Sequence, residues 1–164
     1  PLLVAVLLTE FPEKEFWGLA IFLLAALTDL ADGIIARRTN RITVTGTLLD
    51  PIADKLLMSA AFISLVELGL APAWMVTIIV GREFAVTALR MIAMARNVAI
   101  AANWWGKVKT GSQVVAVALL ILGKKLGTWM ILGQIALWVA LVMTVVSMVT
   151  YFWQNRSIIR EVEA

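Results

Sequence analysis

Apolar residues run along this chain in long blocks broken by short polar segments, with none of the two-residue alternation of half-buried strands. FWGLAIFLLAAL, LLMSAAFISLV, VVAVALLIL and ILGQIALWVALVMTVVSMV are the clearest blocks. Extended by their flanks, they reach the roughly 20 residues needed to cross a hydrocarbon core of about 30 Å. The pattern predicts an all-α, polytopic transmembrane bundle of six helices. Five should lie near Phe16–Arg38, Gly46–Leu68, Ala73–Arg96, Trp105–Leu122 and Trp129–Trp153. PLLVAVLLT at 1–9 is too short to span and does not begin with methionine, so it reads as the tail of a truncated first helix. EFPEKE (10–15), ELGLAP (67–72) and GKKLGT (123–128) are the predicted turns. Pro51, which lacks an N–H, is expected in the first turn of its helix, placing Asp50 near that helix start.

Composition supports the same reading. Over 164 residues the chain is 62% hydrophobic, and its mean hydropathy is +0.93, too apolar for a soluble domain of this size. One membrane domain over 1–164 is expected. With no cysteine, disulfides, thiol nucleophiles and zinc–thiolate sites are excluded. Without histidine, phosphohistidine is excluded too, and a general base must be a carboxylate, lysine, tyrosine or water. The net charge of +3 calls for no nucleic-acid partner; it suits anionic lipid head groups.

Between two apolar blocks lies DLADGIIARRTNRITVTGTLLDPIADK, with the pattern D-x2-D-G-x2-A-R-x8-G-x3-D-x3-D at Asp29, Asp32, Gly33, Ala36, Arg37, Gly46, Asp50 and Asp54. Carboxylates beside such apolar runs are costly and point to function. On helices, Asp29 and Asp32 share one face at i, i+3, and Asp50 and Asp54 another at i, i+4. A turn through RRTNRITVTGT makes the two helices antiparallel and brings four carboxylates around one small volume. Such a group of charges suits hard divalent cations. Two Mg2+ or Mn2+ ions about 3.5–4 Å apart would form the two-metal arrangement used in phosphoryl transfer. Gly33 and Ala36 leave room for a flat or phosphate-bearing ligand against the helix, and Arg37 adds a fork for phosphate oxygens. For Gly33 or Ala36 alone, close helix packing explains the small residue equally well; for the complete pattern it does not.

This pattern resembles the signature of the CDP-alcohol phosphotransferase family, membrane enzymes of phospholipid synthesis. A second stretch, GREFAVTALRMIAMARNVAIAANWWGKVKT, resembles the branch that joins CDP-diacylglycerol to glycerol-3-phosphate. The resemblance implies transfer of a phosphatidyl group to glycerol-3-phosphate by metal-assisted direct displacement, giving phosphatidylglycerophosphate and CMP. It implies Asp29, Asp32 and Asp50 as ligands of the two metals, with Asp54 sharing the second site and acting as general base. Asp32, Gly33, Ala36, Arg37 and Gly46 would then hold the CDP moiety. It further implies an Asn and an Arg in the first helix, absent here, and a homodimer. Other acceptors within the family are inositol phosphate, serine or phosphatidylglycerol.

Arg82 and Arg90, eight residues apart on one helix, are candidates for the acceptor phosphate with Lys107 and Lys109. The alternative is that the arginines pair with Glu83 or a motif aspartate and staple the bundle. Glu83 reads as a structural partner; Lys55 reads equally as an ion-pair partner and as an interface anchor. Most tryptophans, Trp104 and Trp105 among them, fall near predicted helix ends, as interfacial anchors do. Arg37, Arg38, Arg41, Arg96, Lys107, Lys109, Arg156 and Arg160 fall on one side of the predicted topology, and Lys14, Lys124 and Lys125 on the other. The positive-inside rule makes the first side cytoplasmic and puts the aspartates there. A bacterial plasma (inner) membrane is the simplest location. A cation or proton transporter would need acids spread through the membrane depth or an internal repeat, and the sequence has neither.

Overall fold

A computed structural model describes residues 2–39, 44–95, 104–127, 129–154 and 156, without the side chains of 29–30, 32–39, 44–54 and 94–95. The described residues form six helices and no strand: α1 (Leu2–Leu8), α2 (Lys14–Thr39), α3 (Val44–Glu67), α4 (Ala73–Ala95), α5 (Trp104–Leu126) and α6 (Met130–Gln154). All six contribute to one continuous apolar core, which includes Leu7, Phe22, Phe62, Ile79, Leu120 and Leu137. Among the described residues, α5 and α6 are long and apolar enough to cross a membrane. Along α6, Ile131, Ile135, Trp138, Val142 and Val149 face outward. So continuous an apolar face belongs against lipid rather than water.

Glycines end the helices where the chain must turn. Gly69 adopts φ +69°, Leu70 N–H donates to Leu65 C=O at 2.8 Å, and Gly69 N–H donates to Val66 C=O at 2.9 Å. This Schellman arrangement satisfies carbonyls that the end of α3 leaves open. Pro72 then starts α4, its carbonyl accepting from Met75 N–H at 3.1 Å and Val76 N–H at 3.3 Å. Gly127, at φ +59°, caps α5 with one N–H bond of 2.9 Å to Gly123 C=O.

Two expectations need correction. The predicted loop at 123–128 is mostly helix, because α5 continues to Leu126. Its two lysines are held from the start of α2 and the turn before it: Lys125 pairs with Glu13, and Lys124 lies 4.0 Å from Glu15. Pro51 is the eighth residue of α3, not part of its first turn. Asp50 therefore lies beyond the turn where the helix dipole is felt.

The Glu13 and Glu15 pairs place the start of α2 beside the end of α5, at the same end of the bundle as Lys14. That grouping of Lys14, Lys124 and Lys125 matches the loop-charge reading. Lys14 also bonds Glu10, and this hydrogen bond, reinforced by the lysine charge, holds the exposed Glu10 carboxyl below its ordinary range. Arg41, Arg96 and Arg160 lie outside the described residues.

α5 and α6 form the closest helix pair. A Cβ on Gly123 would sit 2.9 Å from Met130 Cα, and one on Gly133 would sit 2.9 Å from Leu120 Cδ2 and 3.2 Å from the Leu119 carbonyl oxygen. Backbone cannot yield as a side chain can, so Gly123→Val should destabilise the protein by about 1–3 kcal/mol. Gly111→Ala, on the same helix with nothing within 4 Å of its Cβ, should be neutral or stabilise by up to about 1 kcal/mol. Thermal unfolding of both variants in detergent checks the contrast.

Candidate active site

The motif residues occupy two consecutive helices. Asp29, Asp32, Gly33, Ala36 and Arg37 lie in the second half of α2; Gly46, Asp50 and Asp54 lie in the first half of α3. Both segments are helical throughout, so the i, i+3 and i, i+4 spacings of the aspartates hold in the backbone. The side chains of these eight residues lie outside those described.

The residue after Asp54 leads into a second polar group. Lys55 Nζ on α3 lies 3.5 Å from Glu83 Oε2 on α4. Lys109 on α5 hydrogen-bonds the other oxygen, Glu83 Oε1, and Arg82 Nη1 approaches the same oxygen at 3.4 Å. Glu83 is 5% exposed, Arg82 8% and Lys109 3%. Three cations from three helices thus meet at one buried carboxylate. A charge so buried is tolerated when paired and hydrogen-bonded.

A layer of neutral polar groups surrounds the ion pairs. Arg82 Nη2 donates to Ser147 Oγ on α6 at 2.7 Å. Gln113 Nε2 on α5 lies 3.4 Å from Glu83 Oε1 and donates to Thr144 Oγ1 on α6 at 3.2 Å. Gln113, Thr144 and Ser147 are all buried. Arg82 Nε, also buried, has no hydrogen-bond partner among the described residues. An arginine donor left open in a dry, cationic site is suited to an anion with several oxygens.

Of the four proposed phosphate-binding cations, the structure brings Arg82 and Lys109 together at Glu83. Arg90 and Lys107 are exposed, and Lys107 Nζ lies 6.0 Å from the centroid of the Trp104 ring. Glu83 acts as the structural partner that the sequence suggested, and Lys55 is shown to reach it. Gln113, Thr144 and Ser147 escaped the sequence reading. Lys109 and Gln113 stand four apart on α5, and Thr144 and Ser147 three apart on α6. Those helical spacings were the available signal.

A family model described as CDP-alcohol phosphatidyltransferase matches residues 1–146. The chain is 46% identical over 149 residues to the CDP-diacylglycerol–glycerol-3-phosphate 3-phosphatidyltransferase of Bacillus subtilis (strain 168), covering 89% of this chain and 77% of that protein. It is 34% identical over 155 residues to the protein of the same name from Rickettsia bellii (strain RML369-C), covering 93% of this chain and 86% of the relative. To that from Salmonella choleraesuis (strain SC-B67) it is 38% identical over 158 residues, covering 92% and 85%. Taken with the two apolar helices, these bacterial relatives make the chain a membrane protein.

Glu83→Gln would remove the charge that Arg82 and Lys109 share while keeping the side-chain volume. Breaking a buried pair from one side should cost about 3–5 kcal/mol. A double variant with Lys109→Met should recover part of that loss, because it also removes a stranded cation. Thermal unfolding of the two variants in detergent measures both effects.

Proposed function

Because the chain belongs to the CDP-alcohol phosphatidyltransferase family, we propose that it transfers a phosphatidyl group from CDP-diacylglycerol to glycerol-3-phosphate. The products are phosphatidylglycerophosphate and CMP. The relatives' names support the reaction. One structural observation supports the acceptor: the buried cluster of Arg82 and Lys109, with Arg82 Nε open, stands next in sequence and space to the aspartate motif through Lys55. A phosphate monoester, with close to two negative charges at neutral pH, suits it. Serine, a zwitterion with a single carboxylate, would offset less of that positive charge.

Asp29, Asp32, Asp50 and Asp54 would hold two divalent metal ions. The donor set fits: oxygen ligands only, on two consecutive helices, in a chain with no cysteine or histidine. Bound there, Mg2+ or Mn2+ supplies positive charge to the diphosphate. Asp32, Gly33, Ala36, Arg37 and Gly46 receive the CDP moiety, with Gly33 and Ala36 keeping the helix surface clear and Arg37 pairing with phosphate oxygens. Arg82 and Lys109 hold the phosphate of glycerol-3-phosphate; Arg90 and Lys107, exposed in the same region of sequence, draw it in. Asp54 takes the proton from the attacking hydroxyl as its oxygen bonds to the lipid-bearing phosphorus and the bond to CMP breaks. Catalysis is then mainly positioning and charge neutralisation.

The excess of cations around the motif side of the chain supports a site at the cytoplasmic face of a bacterial plasma membrane. Two copies of the chain would form the working unit, as the family resemblance implies. CMP release by purified protein should require CDP-diacylglycerol, glycerol-3-phosphate and Mg2+ or Mn2+, and stop with EDTA. Release with inositol phosphate, serine or phosphatidylglycerol in place of glycerol-3-phosphate would move the acceptor and keep the family. Asp50→Asn should raise the metal concentration for half-maximal activity at least about tenfold. Asp54→Asn should hold that value while losing roughly 100-fold or more in turnover, the range of a lost general base. Equal loss of metal affinity in both would overturn this division of labour.

A further inference from the structure

We infer that Ser147, supported by the Gln113–Thr144 pair, is a positioning residue that sets the orientation of the Arg82 guanidinium toward the acceptor phosphate. The inference rests on the proposed role of Arg82 and Lys109 and deepens it. Arg82 offers five N–H donors in a rigid plane. Nη1 is directed to Glu83 at 3.4 Å and Nη2 to Ser147 Oγ at 2.7 Å, and Nε has no partner among the described residues. These two contacts, with the covalent attachment at Cδ, fix the plane of the group. Without Ser147, the guanidinium would keep only its long contact to Glu83, its neighbour on the same helix, and could turn its open edge away.

Glu83 needs similar support because Lys109 and Arg82 both draw on its Oε1. The Gln113 amide nitrogen carries two hydrogens, enough to reach Glu83 Oε1 and Thr144 Oγ1 together. It ties the carboxylate to α6 as well as to α5. Ser147 and Thr144, one turn apart on α6, thus hold the arginine and its counter-charge from a helix that carries no acidic or basic residue. A hydroxyl is suited to this task, since it fixes direction and adds no charge to compete with the phosphate.

The test is steady-state kinetics of Ser147→Ala, Ser147→Thr, Gln113→Leu and Arg82→Gln, with both substrates varied and thermal unfolding recorded in detergent. Losing one hydrogen bond to a charged group should raise KM for glycerol-3-phosphate roughly tenfold in Ser147→Ala. Turnover, KM for CDP-diacylglycerol and the metal requirement should stay within about twofold, a change in binding of one substrate rather than in chemistry. Ser147→Thr, which retains the hydroxyl, should restore most of the loss, and Gln113→Leu should shift the same KM in the same direction. Adding Ser147→Ala to Arg82→Gln should raise KM no further, since the group being positioned is gone. If Arg82→Gln raises KM and Ser147→Ala does not, the positioning role is wrong and the phosphate reading stands. If Arg82→Gln leaves KM unchanged, the phosphate reading itself fails. Loss of turnover and of both affinities together with a lower unfolding temperature would make Ser147 a packing residue and overturn the inference.

Discussion

A carboxylate inside an apolar helix bundle has few stable surroundings, and the middle of this protein is arranged to give Glu83 one of them. Taking an ionised carboxylate out of water costs several kcal/mol, which cations recover only at close range and with good geometry. Here they come from the preceding residue on α4, from Lys55 on α3 and from Lys109 on α5. A slip of any of these helices by one turn, about 5.4 Å, would break its contact. The ion cluster therefore adds little net stability over an apolar core, but it fixes one register of three helices. That register also determines where the cations stand relative to the aspartate motif.

α6 is fixed by a different force. Gly123 and Gly133 bring α5 and α6 together with almost no space between them, so packing sets their register. Gln113 lies ten residues before Gly123, and Thr144 eleven after Gly133. Gly123 meets Met130 and Gly133 meets Leu119 and Leu120, and further along the antiparallel pair the Gln113–Thr144 hydrogen bond of 3.2 Å joins the two helices. Ser147 lies one turn further along α6, level with Arg82. Close packing at one end of the hairpin thus determines which hydroxyls meet the charged cluster at the other.

These two forces explain what could and could not be read in the sequence. The helices were legible because each apolar block is long and the turns carry their own markers, such as Gly69 at positive φ followed by Pro72. The aspartate motif was legible because acids at helical spacing beside apolar runs have few structural explanations. Lys124 and Lys125 were misread as loop because charge interrupts the apolar run there; their partners, Glu13 just before α2 and Glu15 in its first turn, stand over a hundred residues earlier. Pro51 was misplaced because its preference for a first turn is local, whereas α3 continues through it. Ser147, Thr144 and Gln113 look like isolated polar interruptions until α4, α5 and α6 are folded together. Their partners stand 30 to 65 residues away.

Lys55 is the link through which the motif and the cationic cluster would act as one site in the proposed reading. It follows Asp54 directly on α3, and successive helix positions are about 100° apart around the axis. One helix can therefore serve two neighbours, with Lys55 turned to Glu83 on α4 while the position before it begins from another side of the same turn. The ion cluster at Glu83 orders α3 against α4 and α5, and with it the backbone that carries the motif in the first half of α3. In the proposed reading, charge compensation at Glu83 and the placing of the acceptor phosphate depend on the same contacts, so a variant that loosens the cluster should weaken acceptor binding before it slows turnover.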